Sequence, residues 1–256
     1  MAPAIAPATW GVVDPASLER IVVVQPHFDD GVMGAGHVLG TYPGSTCITV
    51  MGGRPPAYPS PPTEWDSLGG FIDGDDVVAI RAEEDRAALA VVGAVPVRLP
   101  FADHQYLSKD QRPSAKTVAT ELGAAIDNAD PTSVFVPMGL ANPDHALTHE
   151  AALLARADRP GVAWFAYEDA GYKHLPGLLA WRVATLFKSG LWPTPAMIPV
   201  EPDADRKRRA FACYRSQVAP LERDHALAER LAANVPEQYW QLATPPAGWE
   251  GLTATV

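Results

Sequence analysis

The sequence predicts an α/β protein with a mostly parallel sheet and helices on both of its faces. Apolar, β-branched runs alternate with helical patterns five times along the 256 residues. The first of these runs is apolar at successive positions, as is typical of a strand buried on both faces. A proline, an aspartate and a histidine follow two of the predicted strands. Nothing in the sequence divides the chain, so we expect a single domain over residues 1–256.

Composition excludes several classes of partner. A net charge of −10 argues against a nucleic-acid surface or an anionic membrane as the binding partner. Cys47 and Cys213 lie too far apart in sequence to indicate a disulfide framework. No apolar stretch is long enough to span a bilayer, and the N-terminus lacks the pattern of a secretory signal. We therefore expect a cytoplasmic protein.

Chemistry-bearing residues follow the first predicted strand. Residues 1–19 are rich in Ala and Pro and predict an irregular arm, after which a Val-rich strand leads into His27, Asp29 and Asp30. The carboxyl end of a strand in an α/β sheet is where ligands bind. His27 and Asp30 are three residues apart, so a helical turn brings them to one point, while Asp29 must point elsewhere and could hold a water. In the alternative interpretation, an aspartate caps the helix and His27 is a turn residue.

The middle of the chain continues the alternation. The patterns predict helices over 31–39, 75–92 and 114–128, and strands over 46–50 and 95–99. Residues 54–74 are rich in Pro, Gly and Ser and predict a long loop. Because this loop leaves the carboxyl end of a strand, it could cover the candidate site and contact substrate; the alternative is a disordered surface loop.

A second strand end carries matching chemistry. The apolar run 132–138 precedes Asn142, Asp144 and His145, which open a helical pattern. His27, Asp30 and His145 would form a site of two histidines and one carboxylate with open coordination positions. Zinc accepts this ligand set and keeps a position for catalytic water, and non-haem iron(II) accepts it as well.

The last third of the chain has weaker patterns. A fifth strand over 161–166 leads into Glu168 and Asp169, which are candidates for substrate or outer contacts at the same crevice, or else caps or solvated turn residues. Residues 170–204 predict a long irregular loop whose aromatic residues indicate an apolar wall or a contact in a homo-oligomer. Helical patterns follow over 205–217, which we expect to be exposed, and over 220–233.

Four stretches resemble one known family. Pro26-His27-Phe28-Asp29-Asp30 resembles the "(A/P)HPDDE" signature of the LmbE-like, or PIG-L, family of metal-dependent N-deacetylases, and Asn142–His145 with His149 resembles its "HPDHxxxH" segment. Arg81–Glu84 and Tyr214–Gln217 also fit, so the resemblance covers most of the chain. It implies a Rossmann-like α/β domain and the hydrolysis of N-acetyl groups from amino sugars and related glycosides.

The resemblance also implies roles for individual residues. His27, Asp30 and His145 match the metal ligands, Asp29 matches the general base, and Asp144 matches a carboxylate that orients and tunes a neighbouring histidine.

Two further positions resemble substrate contacts. Asp103 matches a position that contacts a sugar hydroxyl. For Arg81 the resemblance implies a structural or substrate role, and the alternative is an exposed ion pair on a helix, which would contribute little stability.

Two positions depart from the family pattern. Gly31 stands where the family has glutamate, and Asn142 stands where it has the first histidine of the second motif. The Asn142 amide can donate a hydrogen bond to an oxyanion, although it cannot pass a proton to a leaving amine. Proton delivery would then fall to Asp29 or to a nearby group such as His149.

The function predicted from these observations is that of a zinc-dependent hydrolase. It would remove an N-acyl group, and in particular an acetyl group, from a small-molecule amino sugar or an amino-sugar-bearing metabolite. The alternatives are other metal-dependent chemistry on the same fold, such as hydration or a different hydrolysis, and a non-catalytic metal- or sugar-binding homologue.

Overall fold

A seven-stranded sheet in the order β3-β2-β1-β4-β5-β7-β6 forms the centre of the protein. A computed structural model describes residues 11–227, 236–245 and 248. The strands are β1 (Ile21–Gln25), β2 (Thr46–Thr49), β3 (Val95–Arg98), β4 (Ser133–Pro137), β5 (Ala163–Tyr167), β6 (Trp192–Ala196) and β7 (Tyr239–Ala243). β1 to β5 are parallel, whereas β7 runs antiparallel to both β5 and β6. The predicted fold class, a single mostly parallel α/β domain, is confirmed.

Helices cover both faces of this sheet. They are α1 (Asp30–Thr41), α2 (Glu64–Leu68), α3 (Val77–Val92), α4 (Ala115–Ala129), α5 (Pro143–Ala157), α6 (Leu178–Lys188), α7 (Ala204–Phe211) and α8 (Arg215–His225). Side chains of α1, α3, α7 and α8 share one core with Val23, and those of α4, α5 and α6 share a second core with Val22 and Val24. Successive residues of β1 point to opposite faces and both faces are covered, so all five residues of this strand are buried and the first four are apolar.

The strand order reverses direction at β1. The connections through α1 and α3 lead from β1 to β2 and β3, whereas β4 and β5 lie on the other side of β1. In open α/β sheets the ligand crevice lies at the carboxyl ends of the strands where the order reverses. The two strand ends that carry His27 and His145 are therefore neighbours.

The prediction of an irregular loop over 170–204 was wrong. This segment contains α6 and the edge strand β6. The apolar side of α6, which includes the buried Leu186, packs into the second core. Two prolines, Pro193 and Pro195, conceal the strand pattern in the sequence. An edge strand tolerates proline because a backbone N–H on its outer side has no strand to bond.

The predicted helix over 205–217 divides into α7 and α8. The break brings Tyr214 into the first core, where its hydroxyl donates to Asp85 Oδ1 at 2.9 Å. The helix that the sequence predicts over 220–233 is the continuation of α8 as far as His225, and residues 228–233 lie outside the described part of the chain. Lys207 of α7 is buried, contrary to the expectation of an exposed helix.

The predicted loop over 54–74 is largely irregular and contains only the short α2. Of the predicted arm, residues 1–10 lie outside the described residues, and residues 15–18 form a 3₁₀ turn whose Leu18 is buried. Within the described ranges, no helix combines the length and the apolar character needed to cross a membrane.

Candidate functional site

The turn after β1 is held by its own side chains. The Asp30 Oδ2 oxygen accepts from the His27 backbone N–H at 2.9 Å, which closes the turn and directs both side chains to the same side. At the start of α1, Gln25 Oε1 accepts from the Gly31 N–H at 2.8 Å. The local sequence therefore sets the position of His27 relative to Asp30.

The three predicted ligands converge at this edge of the sheet. Asp30 Oδ2 lies 3.3 Å from His27 Nδ1 and 3.3 Å from His145 Nε2. The two imidazole centroids are 5.3 Å apart. We call His27, Asp30 and His145 the histidine cluster; one donor atom from each lies within 4.8 Å of the others. Two nitrogens and one carboxylate oxygen form a donor set for zinc or iron(II).

The remaining nitrogen of each imidazole contacts a carboxylate. His27 Nε2 lies 3.0 Å from Asp144 Oδ2, and His145 Nδ1 lies 2.5 Å from Asp169 Oδ1. Histidines that bind a metal almost always donate their other N–H to a carboxylate, a carbonyl or water, which sets the tautomer and the ring orientation. The histidine cluster has this arrangement on both imidazoles, so the residues present fit a divalent cation.

Without a cation, the imidazoles of the histidine cluster carry protons. Burial opposes protonation of His145, but Asp30 and Asp169 outweigh it and raise its pKa to about 9. Burial likewise opposes ionisation of Asp30, yet His145 and His27 hold the pKa of that carboxyl well below its usual range. A bound cation would take the place of these protons.

Asp29 has a different environment from its neighbour. Its side chain makes no capping hydrogen bond to α1, although the residue is buried and lines a cavity over the histidine cluster. Burial, followed by the charge of Asp30, raises the pKa of Asp29 to about 7. A carboxylate of this pKa suits proton transfer near neutral pH.

Asn142 is the N-cap of α5. Its Oδ1 accepts from the Asp144 backbone N–H at 2.8 Å, which leaves the amide NH₂ as the half of the side chain that can donate. Tyr172 lines the cavity as well, and Asn142 lowers its pKa against the larger effect of burial. The cap explains the local role of Asn142, and its amide remains available to an oxygen in the cavity.

The loop before Asn142 packs tightly against α5. Gly139 has φ of +76°, and a Cβ atom there would lie 2.6 Å from His149 Cβ. His149 is fully buried; its Nδ1 lies 2.8 Å from the Pro137 carbonyl oxygen, and burial lowers its pKa to about 4. His149 is therefore neutral and lies outside the cavity lining, which argues against it as the alternative to Asp29 for proton delivery.

A cavity of about 270 Å³ opens over the histidine cluster. The segment 54–74 forms one wall through Trp65, whose Nε1 donates to Gln217 Oε1 at 3.0 Å. Asp66, in the same segment, pairs with Arg81 at 2.9 Å and accepts from the Tyr106 hydroxyl at 2.8 Å. Arg81 lines this cavity but is buried, so the exposed ion pair is the wrong alternative for it.

The other two predicted substrate contacts lie apart from each other. Asp103 lines the cavity, and its Oδ2 is 3.8 Å from His27 Nε2. Glu168 does not line it: its carboxylate accepts from Trp240 Nε1 at 3.1 Å and pairs with Lys173 at 3.5 Å beside a separate small cavity. The structure therefore does not bring Glu168 to the other site residues, whereas Asp169 reaches His145.

One residue of the site has no counterpart in the sequence-based predictions. His104 follows β3, and both its backbone N–H and its Nδ1 contact Asp144 Oδ2, at 3.0 and 2.9 Å. Ligands bind at the carboxyl ends of the strands in an α/β sheet, and β3 is a parallel strand of the same sheet as the strands before His27 and His145. The Asp103-His104 pair after the strand was the available signal.

Gly31 lies where a larger side chain has no room. A Cβ atom at this position would lie 2.7 Å from Gln25 Oε1 and 3.0 Å from Cys47 Sγ. Gln25 is itself held by its donation to Thr49 Oγ1 at 2.8 Å. The Gln25 side chain therefore occupies the space that the family's glutamate would need at this position.

The sequence from 22 to 156 matches the family model described as PIG-L, GlcNAc-PI de-N-acetylase. The chain belongs to this family. It is an enzyme of the N-deacetylase class, which confirms the expectation drawn from the sequence motifs. Among curated proteins, none matches the sequence.

Solved structures agree with this membership. The zinc-inhibited form of the teicoplanin deacetylase Orf2 is 25% identical, with 90% of this chain and 100% of that chain covered and a TM-score of 0.71. A deacetylase–teicoplanin complex is also 25% identical, with 89% and 99% covered and a TM-score of 0.70. GalB, the 4-carboxy-2-hydroxymuconate hydratase from Pseudomonas putida KT2440, is 17% identical, with 90% and 98% covered and a TM-score of 0.56, which is a likeness of fold alone.

Proposed function

We propose that this PIG-L family member hydrolyses an N-acetyl amide on an amino sugar or an amino-sugar-bearing metabolite, with zinc held by His27, Asp30 and His145. The convergence of these three side chains beside Asp29 in one cavity is the observation that supports it. The likeness to a deacetylase solved with teicoplanin supports a glycoside as the substrate class. Iron(II) accepts the same donors, so the metal must be measured.

When bound, the metal would polarise the amide carbonyl and lower the pKa of water to about 7. Asp29 takes the proton of the attacking water, because its carboxylate lines the cavity and its pKa of about 7 allows it to accept a proton near neutral pH. The Asn142 amide donates to the oxyanion that develops on the carbonyl oxygen, since its own Oδ1 is already used in the cap of α5.

Other residues position these groups and the substrate. Asp144 and Asp169 hold the rings of His27 and His145 in their orientations. Asp103 lies at the cavity wall, where its carboxylate can accept from a sugar hydroxyl, and Arg81 can donate to one.

Acetate release from metal-reconstituted protein tests this proposal. Metal-free protein is loaded with zinc or iron(II) and given a panel of N-acetylated amino sugars and glycosides, with Asp29→Asn as the control for contaminating activity. Acetate release by the parent chain but not by Asp29→Asn is the expected result. Stoichiometric metal with no release from any amide would favour a non-catalytic homologue, and hydration of an unsaturated acid instead would favour the hydratase alternative.

A further inference from the structure

Amide hydrolysis needs a proton donor for the leaving amine, and few groups around the cavity can supply it. Asn142 has no acidic proton, and His149 is buried, neutral and directed at the Pro137 carbonyl. Both nitrogens of His27 and of His145 are committed to carboxylates. Tyr172 packs against His145, but burial raises the pKa of its hydroxyl to about 12, which makes it a poor acid near neutral pH. Asp29, which takes the proton of water in the proposed function, and His104 remain beside the histidine cluster.

His225 also lines the cavity, at a greater remove from the cluster. Its ring packs edge-on against Tyr172 at 5.0 Å, and Tyr172 packs edge-on against His145 at 5.3 Å. An aromatic ring therefore separates His225 from the nearest member of the histidine cluster, whereas His104 shares a carboxylate oxygen with His27.

The imidazole of His104 is oriented by Asp144. Asp144 Oδ2 accepts from the His104 backbone N–H at 3.0 Å and from its Nδ1 at 2.9 Å, and the same oxygen contacts His27 Nε2 at 3.0 Å. Asp103 Oδ1 lies 3.2 Å from His104 Nδ1. Among the described residues, His104 Nε2 makes no hydrogen bond, and the side chain is 26% exposed at the cavity wall.

We infer that His104 is the general acid of the reaction and donates its Nε2 proton to the leaving amine. The inference rests on the proposed amide hydrolysis. The second motif has asparagine instead of histidine at position 142. The turn after β3 supplies an imidazole next to the histidine cluster through His104. Hydrogen bonds that His104 donates to Asp103 and Asp144 outweigh burial and raise its pKa to about 9, so the ring carries its proton at neutral pH.

The proton transfer completes the hydrolysis. As the tetrahedral intermediate collapses, the C–N bond breaks and its electron pair goes to the nitrogen, which takes the proton from His104 Nε2. The products are the free amine and the carboxylic acid. His104, now neutral, regains a proton from solvent, while Asp29 releases the proton that it took from water. No oxidant or second substrate is required.

The charged groups facing His104 come from three elements: Asp103 on its own turn, Asp144 at the start of α5, and His27 after β1. Asp144 also holds His27, so a variant of Asp144 would disturb both rings. Substitutions of His104 itself test proton donation and leave in place the carboxylate that holds His27.

Two variants distinguish proton donation from structural support. His104→Asn keeps an N–H that can bond to Asp144 but has no group in place of Nε2, and His104→Ala loses both. We expect both variants to bind metal like the parent and to lose about a hundredfold to ten-thousandfold in turnover of an N-acetyl amino sugar. Both should hydrolyse 4-nitrophenyl acetate like the parent, because nitrophenolate leaves without a proton. Added imidazole should restore amide turnover in His104→Ala.

Two further measurements complete the test. In the metal-free parent, the His104 ring resonance, assigned by its loss in His104→Asn, should titrate well above the ordinary histidine pKa. Asn142→His in the His104→Ala background should recover amide turnover, because it returns an imidazole to the cavity.

The outcomes separate this inference from the proposed function. If the parent hydrolyses the amide and His104→Asn matches it, or if amide and ester turnover fall equally, His104 is not the general acid and the proposed function stands. If the parent releases acetate from no amide, the proposed function fails and the role of His104 fails with it.

Discussion

Two groups of buried polar side chains flank the first turn of α1, and the pKa values of their carboxylates are shifted in opposite directions. One is the histidine cluster, in which the two imidazoles hold the pKa of Asp30 well below its usual range. The other, which we call the Gln25 network, consists of Gln25, Asp85 and Tyr214. Its carboxylate accepts only neutral donors, and burial raises the pKa of Asp85 to about 7.

The difference shows that the partners of a buried carboxylate, more than its depth, decide its charge. Asp30 is 8% exposed and Asp85 is 1% exposed. Cationic rings favour the ionised form of the first, whereas a phenol and an amide compensate the second only in part. The histidine cluster therefore suits a cation, and the Gln25 network joins β1, α3 and the α7–α8 junction.

The largest expected effect is the loss of metal from the histidine cluster. His145→Ala removes one of three protein ligands, so its affinity for zinc should fall by more than that of Asp169→Asn, which only loosens the His145 ring. Removal of a carboxylate that contacts a metal-binding histidine typically lowers the affinity for the metal about ten- to hundredfold. Glu168→Gln, next to Asp169 but outside the cavity, is the matched control. Titration of metal-free protein with zinc measures all three, and unchanged affinity in His145→Ala would rule out the assigned ligand set.

Asp29→Asn should separate the base from the ligands. We expect this variant to keep its metal and to lose about a hundredfold to ten-thousandfold in turnover, because it removes general base catalysis. Metal content by elemental analysis and acetate release measure the two properties. Joint loss of metal and activity would show that Asp29 belongs to the ligand set.

Asn142→Ala should lower turnover by about a hundredfold to a thousandfold with little change in KM, because an oxyanion donor acts in the transition state. Thermal unfolding is needed alongside, since the same change removes the cap of α5, at a cost of about 1 kcal/mol. Asn142→His should keep or raise deacetylase activity. An Asn142→Ala enzyme as active as the parent would refute the oxyanion role.

The Gln25 network should give the stability of the protein a pH dependence. The pKa of Asp85 is about 7 when folded and 3.8 as a free side chain, so its contribution is fully present below pH 3.8 and is lost as pH rises to about 7. The three-unit difference corresponds to at most about 4 kcal/mol. Urea unfolding between pH 5 and 8 should show that the free energy of unfolding falls less steeply with pH for Asp85→Asn than for the parent. Identical slopes would contradict the raised pKa.

The smallest expected effect concerns the glycine between the two groups. Gly31→Ala should destabilise the protein by about 1–3 kcal/mol, because the new methyl group displaces Gln25 from its hydrogen bonds. Gly161→Ala is the matched control, since a Cβ atom there has no atom within 4 Å. Urea unfolding compares them, and equal stability of the two variants would show that the Gln25 side chain can move aside.

Much of the fold and of the candidate site could be predicted from the sequence. The buried strands are continuous apolar runs, and His27 and Asp30 lie three residues apart in one turn, so local spacing alone brought them together. The motifs at 27–30 and 142–145 indicated the family. Where local signals were mixed, as in the proline-containing strand β6, the prediction failed because its partner strand lies elsewhere in the chain.

By itself, the sequence determined which residue types stand at the carboxyl ends of the parallel strands. Only the tertiary structure decided which of them meet. His27 and Asp144 are 117 residues apart, and His104 and Asp144 are 40 apart, so strand order sets both contacts. The choice between adjacent acids was equally non-local: Glu168 contacts Trp240 of β7, whereas Asp169 contacts His145 of the cluster. A one-dimensional pattern specifies side-chain chemistry and local turns, whereas contacts across the sheet depend on how the strands are ordered.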